Sequence, residues 1–227
     1  MIYLVSDTHG RCEKLYNLAN EVELKKNDYI IVLGDFGFYV KNDEWENHLL
    51  NSLNRLGCTL LFLDGNNDNQ PLLDKLPTET KFRGKVGKLR DNIYYLKRGE
   101  VFTLNNKTFF VMGGGRSSGI AKGKVSADTK PRELPSRGEM INALNNLMHH
   151  RWKVDYVITH SAPENTVHQL CKEFNMKPYP TESCIAFLQS LANKVVYGRW
   201  LCGHHHIDKE MDSNIRIIFN DVYRIDW

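Results

Sequence analysis

The 227 residues carry 30 lysines and arginines against 27 aspartates and glutamates, a balance that lacks the concentrated basic face of a dedicated nucleic-acid binder. A chain of this length buries roughly 70% of its unfolded surface as one domain, so it needs no disulfide or structural metal, and any bound metal is expected to be functional. No apolar run approaches the roughly 18 residues of a membrane span, "IYLVSD" after Met1 is no signal peptide, and the five cysteines form no C-x-x-C pair, which excludes a membrane partner and points to reduced thiols in a cytoplasmic protein.

Taken in order, "IYLVSD" (2–7) is a short apolar run that stops at polar residues, and a helical pattern follows at about 11–24. "DYIIVLGD" (28–35) repeats the format, then a second helix is expected at about 42–56, where "KNDEWENHLL" places capping residues before i, i+3, i+4 spacing. "CTLLFLDGNND" (58–68) is the third such run. Residues 92–114 differ, with two alternating runs joined through "NN", a hairpin turn signal. The irregular stretch 113–137 reads as a flap, helices are expected at about 137–150 and 181–193, and buried strands at "VDYVITHSAP" (154–163) and "RWLCGHHH" (199–206). "KEM", "IRIIF" and "VYRID" close the chain as short strands. The expectation is an α/β fold of mixed parallel and antiparallel strands in one domain over 1–227.

Five of these strand ends supply Asp7 and His9, Asp35, Asn66 and Asp68, His160, and then His204 and His206. Carboxyl ends of strands in an α/β sheet share an edge, so these residues are expected to converge. In extended chain, positions two apart face the same side, which pairs Asp7 with His9 and His204 with His206, leaving His205 as a spectator. Singly, "DTHG", "LGD" and "GNND" are ordinary turns, His160 is a core histidine and "HHH" a solvated patch; in ordered combination they are not. Such a set exceeds what one ion needs, so two divalent ions are implied. Nitrogen and oxygen donors without thiolate suit Mn first, with Fe, Zn, Ni or Mg as alternatives. Two ions that activate a bridging water and clamp an in-line displacement at phosphorus point to phosphoester hydrolysis.

The combination D-x-H (Asp7, His9), G-D (Gly34, Asp35), G-N-x-D (Gly65, Asn66, Asp68), a lone His160 after a strand and G-H-x-H (Gly203, His204, His206) resembles the calcineurin-like metallophosphoesterase superfamily. "GDFG" and "FFVMGGGRSSG" are most similar to its small bacterial or phage stand-alone members. The resemblance implies a four-layer α/β/β/α sandwich whose two mixed sheets are flanked by helices. It also implies Asp7, His9 and His206 on one ion, Asn66, His160 and His204 on the other, Asp35 bridging, and attack by a hydroxide held between them.

One position departs from the family pattern. Members usually read G-N-H-D/E, whereas Asn67 stands here in place of the histidine near the leaving group, and Asn cannot donate a proton as a general acid. Alkyl monoesters should therefore be poor substrates relative to aryl esters or activated diesters, with His205 or His9 as substitute donors. Asp68 serves either the catalytic chemistry or the cap of a helix beginning near Asn69. Arg116, after "GGG", is a candidate phosphate grip, and Lys122, Lys124, Lys130 and Arg132 a candidate electropositive lid. The expected function is a dinuclear phosphomonoesterase or phosphodiesterase acting on a small molecule, nucleotide or phosphoprotein. The alternatives are a serine/threonine-type protein phosphatase, a nuclease, or a metal-free protein-binding scaffold of the same fold.

Overall fold

The computed structural model describes residues 1–117, 132–177, 181–212 and 214–226. Most of the expected flap, with Lys122, Lys124 and Lys130, lies outside them. The elements run β1 (Ile2–Val5), α1 (Glu13–Glu21), β2 (Tyr29–Leu33), α2 (Glu44–Leu53), β3 (Thr59–Leu63), α3 (Gln70–Leu73), β4 (Thr78–Lys81), β5 (Gly84–Lys88), β6 (Ile93–Leu96), β7 (Val101–Leu104) and β8 (Lys107–Met112). They continue with α4 (Arg137–His149), β9 (Lys153–Thr159), α5 (Glu164–Glu173), α6 (Ser183–Ala192), β10 (Val196–Cys202), β11 (Lys209–Met211), β12 (Ile215–Ile217) and β13 (Tyr223–Ile225).

Two mixed sheets result, one ordered β13-β1-β2-β3-β6-β5-β4 and the other β11-β12-β10-β9-β8-β7. In the first, β1, β2, β3 and β6 are parallel; in the second, β8, β9, β10 and β12 are. Alternation explains why the central strands read as unbroken apolar runs. Ile2 and Leu4 of β1, Ile31 and Leu33 of β2, and Leu61 and Leu63 of β3 face the opposing sheet, where they meet Phe109 and Val111 of β8 and Leu201 of β10. The intervening Tyr3, Val5, Ile30, Val32, Leu60 and Phe62 pack under Leu15 and Leu18 of α1 and Leu50 and Leu53 of α2. Phe110, Met112, Trp200 and Cys202 pack under α4, α5 and α6. Both faces of each sheet are thus buried, at about 1.5–3 kcal/mol for each large apolar side chain removed from water. This is the expected α/β/β/α layering.

The four expected helices form with trimmed ends. Asp43 caps α2 by accepting from the Glu46 N–H at 2.9 Å, and Ser136 with Glu139 makes a reciprocal capping box at α4. The "NN" turn is real: Asn105 and Asn106 sit at φ 50° and 61° between β7 and β8, as a two-residue hairpin requires. The segment around it divides between sheets, because β6 joins β3 while β7 joins β8. Strands β4 and β5 and helix α5 were not anticipated.

Candidate metal centre

The parallel strands β1, β2, β3, β9 and β10 deliver their carboxyl ends to one edge of the two sheets. The chain then bends sharply: Asp7, His9, Asp35, His204 and His206 sit at φ 52°, 47°, 48°, 69° and 52°. Side chains other than glycine pay roughly 1–3 kcal/mol each for such conformations, which persist where surrounding contacts fix them and cluster at functional sites. Here the two loops after β1 and β2 are laced together by Asp7 N–H to Gly34 O (3.2 Å), His9 N–H to Asp35 O (2.8 Å) and Gly10 N–H to Phe36 O (3.0 Å). Glycine permits the closest approaches. A Cβ on Gly203 would lie 1.8 Å from Ser6 Oγ and 2.7 Å from Asp7 Oδ2, and one on Gly34 would lie 2.2 Å from His160 Nδ1.

These bends bring Asp7, His9 and His206 together as one group and Asp7, Asp35 and His160 as another, the donor atoms of each lying within 4.8 Å of one another. Asp7 Oδ1 is 3.4 Å from His206 Nε2 and 3.9 Å from His9 Nε2. The Asp35 carboxylate spans the two sides, Oδ2 being 3.7 Å from His9 Nε2 and Oδ1 3.6 Å from His160 Nε2. Asn66 joins through Oδ1, 3.1 Å from His160 Nε2. His204 belongs to neither tight group, although its ring centroid lies 4.8 Å from that of His160 and its N–H donates to Asp7 Oδ2 at 3.1 Å.

Whether these residues suit a cation can be judged from their hydrogen bonds. Asp7 Oδ1 is buried and has no donor among the described residues. His160 Nδ1–H donates to the Leu33 carbonyl at 2.9 Å, so whenever the ring is neutral its Nε2 lone pair is aimed at Asn66 Oδ1 and Asp35 Oδ1. His9 Nε2 and His206 Nε2 face each other at 3.2 Å, a contact that needs a proton or a cation between them. Acceptors converging on acceptors need positive charge between them, so the donor set fits divalent ions.

Without ions, the same crowding shifts the titrations. Burial raises the Asp7 carboxyl, but the His206 ring nitrogen 3.4 Å away and the charge of His160 outweigh it and hold the group well below the carboxylate range. Burial lowers His160, while Asp35 and Asp7 more than offset this and raise it. The Asp7 carboxylate beside it raises His206. Burial, with His160 beside it, drives His204 well down.

The remaining expected residues fall in different places. Asn67 turns onto Asp35, its N–H donating to Oδ1 at 2.8 Å and its Nδ2 to Oδ2 at 2.7 Å. Asp68 does not cap α3, since Asn69 does so through the Leu72 N–H. Instead the Asp68 carboxylate accepts N–H bonds from Gly65 (2.8 Å), Gly37 (2.8 Å) and Phe36 (3.1 Å), tying the loops after β2 and β3 together. Burial and the nearby Asp35 charge push its carboxyl up to about 7. His205 lines the cleft with a buried Nε2 that lacks a hydrogen-bond partner among the described residues, and burial and His160 hold its ring down to about 4. Its ring is therefore neutral at pH 7 and is a poor general acid. Arg116 is not part of the cleft lining, and its charge acts on Glu182, the N-cap of α6. Arg132, the described member of the expected lid, pairs with Asp74 and with Glu139 at 2.8 Å.

Several supporting residues gave no signal in the sequence. Ser6 Oγ donates to Asp7 Oδ2 at 2.5 Å. Asn66 Nδ2 donates to Ser117 Oγ at 3.2 Å, and Ser117 in turn donates to the buried Glu133 at 2.8 Å, which fixes the amide with its oxygen toward His160. Phe219 stacks on His206 at 4.5 Å and 11°, held there by the Phe219 N–H bond to Asp208 Oδ1 at 2.7 Å. Only Ser6 adjoins a recognisable motif; the others reach the site through tertiary packing.

The family model described as Calcineurin-like phosphoesterase matches residues 1–208. The chain belongs to the calcineurin-like phosphoesterases. A search of curated proteins finds no match. The matched span takes in all of the converging residues from Asp7 to His206, and the family is one of metal-dependent phosphoesterases. None of the described helices of this phosphoesterase is long and apolar enough to cross a membrane. Its five cysteines are buried and free of disulfides.

Proposed function

We propose that the protein is a dinuclear metal-dependent phosphoesterase that hydrolyses phosphomonoesters or phosphodiesters, with Mn the first candidate for both ions. In this reading Asp7, His9 and His206 would hold one ion, Asn66, His160 and His204 the other, and the Asp35 carboxylate would be shared between them. The observation that carries it is the Asp35 carboxylate between His9 and His160, beside a buried Asp7 oxygen that has no donor among the described residues. Two bound ions supply Lewis-acid polarisation of the phosphoryl oxygens and lower the pKa of water.

The chain's own residues set the geometry. Ser6 and the His204 N–H occupy Asp7 Oδ2, so that Oδ1 alone faces inward. Asn67 holds the Asp35 carboxylate with both backbone and side-chain donors. Asp68 fixes the two loops whose relative position sets the distance between Asp35 and Asn66. Because Asn67 replaces a proton donor and His205 is neutral, no side chain in these roles readily protonates an alkoxide. Esters with good leaving groups are therefore the favoured substrates.

The test is a panel of aryl monoesters, aryl diesters, alkyl monoesters, nucleotides and phosphopeptides with Mn-reconstituted protein, run beside Asp35→Asn. Aryl esters should turn over faster than alkyl esters, and Asp35→Asn should abolish turnover of all. Activity that survives Asp35→Asn would remove the assigned role of the bridging carboxylate.

A further inference from the structure

The candidate ion site opens into a cleft of about 410 Å³, within the range of roughly 300–1,000 Å³ typical of small-molecule sites. The lining divides sharply. Asp35, Asn66, Asn67 and the three consecutive histidines make up its polar lining. Val167, Leu170, Cys171, Phe174, Met176 and Ile207 make up the rest, and no charged or amide side chain is among them.

That apolar wall is built onto the ligand loops. Helix α5 begins four residues after His160, and Ile207 directly follows His206. Positions 167, 170, 171 and 174 follow helical i, i+3, i+4, i+7 spacing. The first three are buried in the core under the second sheet, while the last emerges at the cleft rim. Phe174 is 53% exposed and Met176 62% exposed. Large apolar side chains left open beside a polar centre mark the place where an apolar ligand group is received.

The geometry points to a subsite for an apolar aryl group: a phosphoester whose phosphoryl end lies at the ion site and whose ring rests against Val167, Leu170, Phe174, Met176 and Ile207. This deepens the phosphoesterase reading and rests on it. The favoured occupant is a plain aromatic ring over a nucleobase, because the described side chains of this wall, Cys171 apart, offer no hydrogen-bond partner to the polar edges of a base. Lys209 Nζ lies 5.7 Å from the Phe174 ring centroid, and contact of the ligand ring with the part of Phe174 left exposed adds to the transfer of that ring from water. The aryl preference thus has a binding source, separate from leaving-group chemistry.

Because binding and leaving-group effects mix in turnover, the test uses phosphonates that are not hydrolysed. Dissociation constants of methylphosphonate, benzylphosphonate and a nonhydrolysable nucleotide analogue, a nucleoside bearing a 5′-methylenephosphonate, are measured by calorimetry on Mn-loaded protein, wild type and with Phe174→Ala and Met176→Ala. Both positions are more than half exposed, so the fold should tolerate either change, and Ile141→Ala on α4 serves as a control away from the cleft. Benzylphosphonate should bind at least about tenfold more tightly than methylphosphonate. Phe174→Ala should cut that ratio about threefold or more, whereas Ile141→Ala should leave it intact. Equal affinity of methylphosphonate and benzylphosphonate, an unchanged ratio in both cleft variants, or tighter binding of the nucleotide analogue would overturn the aryl subsite while leaving the phosphoesterase reading in place. Failure of all three ligands to bind protein that holds two ions would overturn both.

Discussion

The buried pair of Asp64 and Arg98 lies one layer behind the site and offers the sharpest energetic test of how the site is supported. Both side chains are fully buried. Arg98 Nε and Nη2 reach Asp64 Oδ2 at 3.0 and 2.5 Å, while Nη1 and Nη2 also donate to the carbonyls of Leu134 and Arg132, each at 3.0 Å. Arg98→Met removes these four bonds and three longer ones, to Asp64 Oδ1 (3.2 Å), Glu139 Oε2 (3.4 Å) and the Glu133 carbonyl (3.3 Å), and among the described residues leaves Asp64 with Tyr95 Oη, at 2.9 Å, as its remaining side-chain donor. Breaking a buried ion pair by removing one partner costs about 3–5 kcal/mol. Orphaned carbonyls add to this, although protonation of Asp64 limits the total, so a loss of about 4 kcal/mol is expected, a large part of the 5–15 kcal/mol typical of a domain. Urea unfolding of metal-free protein, followed by circular dichroism, would read it as a lower midpoint at unchanged slope. Asp64→Asn in the Arg98→Met background should restore about half. A loss below about 1 kcal/mol, or a double variant as unstable as the single one, would refute the pairing energetics.

Other outcomes follow from the geometry around the loops. Gly203→Ala drives a Cβ into Ser6 Oγ and Asp7 Oδ2, and should weaken metal binding by at least about tenfold in a competitive chelator titration, since displaced supporting contacts cost about 10–100-fold. Asn67→His should raise the ratio of alkyl to aryl monoester turnover by at least about tenfold, given the 10²–10⁴ that general acid catalysis contributes; an unchanged ratio would place leaving-group protonation elsewhere. In metal-free protein the Asp68 carboxyl, pushed up to about 7, binds more protons folded than unfolded between its ordinary value near 4 and 7. Stability from this group is therefore fullest below about pH 4 and falls as the pH rises to 7. Thermal melts in chelator should show the gap between wild type and Asp68→Asn changing across that window, and a constant gap would contradict the shift.

Much of the fold is legible because the central strands are buried on both faces. Runs such as Ile30 to Leu33 and Leu60 to Leu63 carry no polar interruption, and capping residues at Asp43 and Ser136 mark the helices between them. The site is legible for a related reason: each run ends where polar residues begin, and parallel strands share one edge. Strands β4 and β5 were missed because Thr78 to Lys81 lies mostly exposed and Gly84 to Lys88 carries two glycines, so neither shows apolar alternation. Helix α5 was missed because "ENTVHQLCKE" is largely polar and its apolar residues emerge only as a stripe. The chain from Asn66 through Ser117 to Glu133, and the stacking of Phe219 on His206, join residues far apart in sequence; no local pattern encodes them. The Asp68 contacts show the same limit, since a carboxylate before a helix reads as a cap until the neighbouring loop is seen to claim it.

The most direct measurement is the number of ions per chain, determined by elemental analysis after reconstitution with Mn and removal of unbound metal, for wild type and Asp35→Asn. Two ions in the wild type and one or none in the variant are expected. A single ion in the wild type, or two retained without the Asp35 carboxylate, would contradict a shared ligand between paired ions.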